Sequence, residues 1–126
     1  MATVKVINGN MAAAIGAKLC RPDIIAAYPI TPQTPIVEYL ADFVTGGELH
    51  STVSEVESEL SAVSVVTGAS LAGSRVFTAS ASQGLSLMYE PYFRASTLRL
   101  PVVKVGNISQ TIKLLQEADF WVTGLA

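Results

Sequence analysis

Charge is scarce in this chain of 126 residues: Asp, Glu, Lys and Arg make up 14% of it, against about a quarter in an ordinary domain. The net charge is −2, and the four lysines and four arginines are scattered, so there is no basic footprint for nucleic acid. Cysteine and histidine are almost absent. With Cys20 alone, an intrachain disulfide or a cysteine-held metal or iron–sulfur cluster within this chain is excluded, and a cytoplasmic chain with a reduced thiol is expected. Cys20 is expected in the core and His50 on the surface, and no His/Asp cluster has the spacing of metal ligands. Long apolar runs are missing too. The longest uncharged stretch, Leu60 to Ser74, has 15 residues and is broken by Ser61, Ser64, Thr67, Gly68, Ser70 and Gly73, too short and too polar to span a bilayer. The opening residues, Met1 to Asn8, lack the apolar core of a signal peptide. Gly68 to Gly73 has the glycine spacing of a phosphate loop, but Ser74-Arg75 stands where Lys-Ser/Thr is required, and neither G-x-G-x-x-G nor G-x-S-x-G occurs.

What is present is apolar and small. Half of the residues are hydrophobic, and 16 alanines, 12 serines and 10 threonines supply weakly polar surfaces. A chain of this length buries roughly two-thirds of its unfolded surface, enough for one domain over residues 1–126 with a core of its own. So little charge suits either close packing against a partner or a bland Ser/Thr surface on a monomer, and composition leaves both open.

Short β-branched runs alternate with longer helical periods, the pattern of an α/β fold with a mostly parallel sheet. Thr3–Ile7 reads as an edge strand. Asn10 is placed to cap a helix over Met11–Leu19 that Arg21-Pro22 ends. Ile24–Tyr28 is a buried-strand run, after which Thr31 serves as N-cap and Pro32 as first residue of a helix that Gly46-Gly47 stops. Leu49–Val53 is the next strand, and Ser54 with Glu57 fits a capping box opening a helix from about Glu55 to Leu71. Arg75–Ser80 follows as a strand, then a helix from Ser82 to Leu98 that Pro91 must kink or split. Pro101–Val105 and Thr111–Val122 complete the alternation as strand and helix.

Ligands of open parallel sheets bind beyond the carboxyl ends of the strands. Three stretches take that position here. In Pro29-Ile30-Thr31-Pro32 a hydroxyl stands between two φ-restricting rings at a helix start, which can receive an anionic group or be an ordinary cap. Ser54-Glu55-Val56-Glu57-Ser58-Glu59 carries three carboxylates at alternate positions. Glu55 and Glu57 have a plain explanation as acidic residues of a first helical turn. Glu59 differs, because Ala62, Val63 and Val66 at i+3, i+4 and i+7 put it on an apolar stripe. A carboxyl held there out of water can share a proton with a ligand, whereas one whose stem lies on the core and whose head reaches solvent cannot. In Ser80-Ala81-Ser82-Gln83-Gly84 the last three residues offer backbone N–H groups and an amide at a third helix start, where capping alone is sufficient reason.

These same residues carry a resemblance. Gly9-Asn10-Met11-Ala12-Ala13-Ala14, then Arg21 to Thr34 with its Tyr28-Pro29-Ile30-Thr31-Pro32 element, Glu57-Ser58-Glu59-Leu60-Ser61-Ala62, and Phe77 to Met88 with Ser82-Gln83-Gly84-Leu85 resemble, in order, the start of the 2-oxoacid:ferredoxin oxidoreductases over residues 8–103. The resemblance is strongest to the alpha subunit of pyruvate:ferredoxin oxidoreductase (pyruvate synthase). It implies a three-layer α/β domain with a central, mostly parallel sheet that binds the pyrimidine end of thiamine diphosphate. It further implies that Glu59 contacts the pyrimidine N1′ and, protonated, favours the imino tautomer that activates the cofactor. Thr31 is implied to bond the keto acid, with Pro29 and Gln83 beside the cofactor. The implied reaction is oxidative decarboxylation of pyruvate with coenzyme A to acetyl-CoA and carbon dioxide, with electrons passing to ferredoxin. Thiamine diphosphate would be shared with a partner chain or domain, Mg²⁺ and iron–sulfur clusters would reside on partner chains, and the assembly would be a homo- or hetero-oligomer without nucleic acid or membrane.

The chain also departs from the family. Where the family places a substrate-binding arginine after the strand matching Pro101-Val102-Val103, this chain reads Lys104-Val105-Gly106-Asn107, and no arginine follows Arg99. No G-D-G run with a following Asn is present to hold diphosphate and Mg²⁺. The stretch 104–126 is therefore read as a divergent or truncated end. The alternative to an enzyme subunit is a non-catalytic assembly module that keeps the fold without a complete active site.

Overall fold

In the computed structural model, residues 6–101 are described. Helix α1 spans Gly9–Leu19. Its cap is Asn8, whose side-chain oxygen accepts from the Met11 N–H at 2.8 Å, and not Asn10. Asn8 has the extended backbone a cap requires, while Asn10 is already inside the helix. Strand β1 is Ile24–Ala27, and helix α2, Thr34–Thr45, begins three residues after the expected cap. Thr31 caps nothing: Gln33 precedes α2 without a side-chain capping bond, and Pro35 takes the first-turn position expected of Pro32. Gly46 and Gly47 end α2 as expected, Gly47 in the left-handed region that glycine tolerates.

Strand β2 is Thr52–Glu55 rather than Leu49–Val53. The Leu49 N–H bonds the Phe43 carbonyl, so Leu49 still belongs to the winding-out of α2, and its side chain fills the core. Parallel pairing with β1 runs on to Ala27↔Glu55, which places Ser54 and Glu55 inside the strand and cancels the expected capping box. The cap moves to Ser58, whose hydroxyl accepts from the Ser61 N–H at 3.1 Å, and α3 spans Glu59–Leu71. Its buried residues are Glu59, Ala62, Val63 and Val66, the apolar stripe read from the sequence.

Strand β3 shrinks to Val76–Phe77. The expected long helix splits into α4, Gly84–Leu87, and α5, Tyr89–Thr97. The break follows from Pro91, which has no N–H for the Leu87 carbonyl four residues back. Ser82 does not cap, since it sits at φ +52, and Gln83 precedes α4 without a side-chain bond. Most of the expected first strand, and the strand and helix expected after Pro101, lie outside the described residues; Val6 and Ile7 are irregular.

All pairings are parallel, in the order β2-β1-β3. Asp23 fastens the entry side of the sheet: its carboxylate accepts from the Arg75 N–H, its own N–H bonds the Arg75 carbonyl, and its carbonyl accepts from Thr52. Register puts Val53, Ile25 and Phe77 on one face, where they meet Ala14, Ala17, Ile36 and Leu40 of α1 and α2. Ala26, of opposite parity, faces α3, where Ala62 and Val63 pack with Met88 and Val56. The result is three layers, α1 and α2 on one face of the sheet, α3 with α4 and α5 on the other.

The shifted cap is directly testable. Ser58→Ala is expected to destabilise the fold by about 1 kcal/mol in chemical denaturation, while Ser54→Ala leaves α3 capped.

Candidate active site

The crossovers fix where a ligand fits. From β1 the chain passes through α2 to β2 on one side, then through α3 to β3 on the other. The loops leaving β1 and β3 therefore diverge to opposite faces and open a crevice at the carboxyl edge, the switch point of a 2-1-3 strand order. The β1 loop, Tyr28 to Gln33, carries Pro29 and Thr31, both exposed. The β3 loop, Thr78 to Gln83, carries exposed Gln83. From the neighbouring strand, β2 delivers Val56 to Ser58 and then the first turn of α3.

Glu59 is the first residue of α3 and is 4% exposed. Helical spacing turns it inward with Ala62 and Val63, and its position in the first turn sets the carboxylate near the positive end of the helix. Gly84 lies against it. A Cβ added at Gly84 would stand 2.7 Å from Glu59 Oε1 and 2.2 Å from Ser80 Oγ, closer than non-bonded atoms can approach, so only glycine lets the start of α4 lie against the acid and the serine. Ser80 Oγ and Thr78 Oγ1 are buried and have no hydrogen-bond partner. Buried polar atoms are rarely left in this state unless something outside the chain completes them.

The structure thus joins Glu59 to the start of α4, next to Gln83, and sets Pro29 and Thr31 on the adjoining loop; no hydrogen bond among the described residues links Thr31 with Glu59. Ser80 opens the third stretch singled out in the sequence, Ser80 to Gly84, but neither it nor Gln33 has a role legible there. Ser80 gains one only once Gly84 is in place beside it, and Gln33 once its burial, 4% exposed, is known. Glu55 and Glu57, expected in a first helical turn, instead precede α3: Glu55 ends β2, and Glu57 lies before the cap at Ser58. Glu57 is exposed and accepts from Ser61 Oγ at 2.6 Å, a bond that holds its carboxyl below the ordinary glutamate value.

Cys20 corrects an expectation: it follows α1 at its C-terminus and is exposed, not core. His50 is exposed as expected. Among the described residues no group of three or more His, Cys, Asp or Glu is placed to hold a metal, and no helix is long and apolar enough to cross a membrane. The segment that departs from the family's arginine lies outside them. A groove of about 420 Å³ lined by Leu60, Ser64, Pro91 and Arg94 includes none of the crevice residues.

A three-layer parallel α/β domain with a buried acid beyond the carboxyl ends of its strands has the layout in which open parallel sheets take their ligands. The family follows from comparison: residues 15–107 match the pyruvate flavodoxin/ferredoxin oxidoreductase, thiamine diP-binding family, and the chain belongs to it. It is 59% identical over 103 residues to the pyruvate synthase subunit PorA of Methanocaldococcus jannaschii, covering 82% of this chain and 26% of that one. It is 47% identical over 96 residues to the alpha subunit of the NADH-dependent phenylglyoxylate dehydrogenase of Aromatoleum evansii, covering 76% and 23%. Among solved structures, 2-oxoglutarate:ferredoxin oxidoreductase from Magnetococcus marinus, with 2-oxoglutarate, coenzyme A and succinyl-CoA bound, superposes with a TM-score of 0.63 at 34% identity over 68% of this chain and 14% of that one. The chain spans about a quarter of the length of the curated relatives it matches.

Two outcomes follow from the geometry. Gly84→Ala is expected to overpack the crevice and cost about 1–3 kcal/mol, read as a lowered unfolding midpoint. Ser61→Ala should raise the Glu57 pKa in an NMR titration. Because the folded value is depressed, the stability that this bond adds is present above the unfolded glutamate value and fades as pH falls through the folded one.

Proposed function

We propose that this chain is the pyrimidine-binding wall of a thiamine diphosphate site in a 2-oxoacid:ferredoxin oxidoreductase, with pyruvate as the keto acid. The observation that carries the reading is the buried Glu59 carboxylate set against Gly84 and the unpartnered Ser80 hydroxyl. These residues fit the polar edge of an aminopyrimidine: an acid for a ring nitrogen and a free hydroxyl for a polar ring substituent, with a glycine between them that adds no side chain. When bound, thiamine diphosphate supplies the carbon nucleophile that the decarboxylation of a 2-oxoacid requires. Glu59 holds and shares a proton at the ring nitrogen, and its burial keeps bulk water from competing for that proton. Pro29 and Gln83 border the cofactor on the β1 and β3 loops. Thr31, exposed beside them, offers its hydroxyl to the keto acid.

The overall conversion takes pyruvate and coenzyme A to acetyl-CoA and carbon dioxide. The carbonyl carbon is oxidised and ferredoxin is reduced. The diphosphate with its Mg²⁺, the iron–sulfur clusters and the coenzyme A site belong to partner subunits in this reading. Exposed Leu85, Leu87, Tyr89 and Phe93 supply an apolar surface for such partners. The identity to PorA across most of the chain favours pyruvate and favours an enzyme subunit over a non-catalytic assembly module.

In the complex assembled with its partner subunits, Glu59→Gln is expected to lower pyruvate-dependent ferredoxin reduction about 10²–10⁴-fold with the fold intact. Activity equal to the unmodified complex would overturn the assignment.

A further inference from the structure

The loop that carries Thr31 is short of backbone donors. Pro29 and Pro32 have no N–H, so two of the six residues from Tyr28 to Gln33 offer none, and some of the loop's carbonyls need side-chain donors. Two side-chain amides provide them. Asn10 Nδ2, in the first turn of α1, donates to the Pro32 carbonyl at 2.8 Å across 22 positions of sequence. Gln33 Nε2 donates to the Tyr28 carbonyl at 3.0 Å and so closes the loop on its own root at the end of β1. The carbonyl between them, on Ile30, accepts from the N–H groups of Gln33 and Thr34 at 2.9 and 3.1 Å.

We propose that Asn10 and Gln33 are positioning residues that clamp the Pro29–Pro32 loop from both ends and fix where the Thr31 hydroxyl stands; the catalytic consequence rests on the reading of Thr31 given above. The cap of α1 falls on Asn8, which leaves the Asn10 amide free to reach across to Pro32. Helix α1, with no residue in the crevice, thereby sets the height of the loop over the sheet. Gln33 is buried, so its amide has little freedom, and its Nε2 makes its bond to Tyr28 out of water. The Tyr28 carbonyl also settles which way the amide faces, because an acceptor there requires the nitrogen.

Asn10→Ala is a clean probe, since alanine is the better helix former at that position and α1 keeps its cap. In the assembled complex, hydrogen exchange of the Gln33 and Thr34 amides is expected to rise about fivefold, the worth of one lost net hydrogen bond. kcat/KM for pyruvate should fall by a similar factor, with kcat at saturating pyruvate and the unfolding midpoint little changed. In a Thr31→Val background Asn10→Ala should bring no further fall, because it acts through Thr31. Gln33→Met, which keeps length and loses the donor, should repeat the pattern. Unchanged exchange in Asn10→Ala overturns the clamp. So does a fall in kcat/KM that adds in full to that of Thr31→Val, or faster exchange with kcat/KM unmoved while Thr31→Val lowers it. If Thr31→Val alone leaves kcat/KM unaltered, the role given to Thr31 is what fails, and the exchange rates decide the clamp.

Discussion

Everything in this domain hangs on β1, a strand of four residues and the one element of the described sheet with a partner on each side. Ile25, Ala26 and Ala27 are at most 1% exposed, so side chains on both of its faces are withdrawn from water. Its residues must therefore satisfy two opposite helix layers at once. Ile25 supplies bulk toward α1 and α2, and Ala26 yields space toward α3, whose own alanine, Ala62, is equally buried. The close approach made possible by these two alanines brings the first turn of α3, and with it Glu59, over the end of the sheet.

Position at the sheet edge then becomes chemistry. A carboxylate at the start of a helix is ordinary when it faces solvent, as Glu57 does before α3 with Ser61 as its donor. Glu59, two residues later, is rotated onto the apolar stripe and closed in by Gly84. The difference between the two acids is their place relative to the cap at Ser58: Glu57 lies before it, outside the helix, and Glu59 is the first helical residue. A slip of the cap to Ser54 would have wound Glu55 and Glu57 into the helix and changed which acid meets the core. Local hydrogen bonding at one serine and long-range pairing between β1 and β2 thus agree on a single register, and the proposed site depends on that agreement.

The relatives widen the meaning of this wall. Proteins named for pyruvate, phenylglyoxylate and 2-oxoglutarate share it at 34–59% identity, although their keto acids differ in size and charge. Under the proposed function, a surface common to such different acyl groups suits recognition of the cofactor and the 2-oxo group, and low charge suits a wall that packs against a partner.

Much of this was legible before any coordinates. The alternation of short β-branched runs with helical periods gave a parallel α/β fold, the i+3, i+4, i+7 pattern put Glu59 on an apolar stripe while leaving open whether its head reached water, and Gly47 and Pro91 stopped or split an element. Such features rest on local chemistry: side-chain periodicity, the freedom of glycine and the missing N–H of proline. Four caps were misplaced, at Asn10, Thr31, Ser54 and Ser82. At Asn10 and Ser54 a second competent residue, Asn8 or Ser58, takes the cap, and at Thr31 and Ser82 the helix starts without a side-chain cap; the choice belongs to sheet pairing and backbone conformation, which couple distant parts of the chain. The roles of Ser80 and Gln33 became visible only when distant segments met. The sequence determined which residues can do chemistry, because that is a property of the side chains, and the tertiary structure decided which of them stand together out of water, because burial is a property of the whole packing.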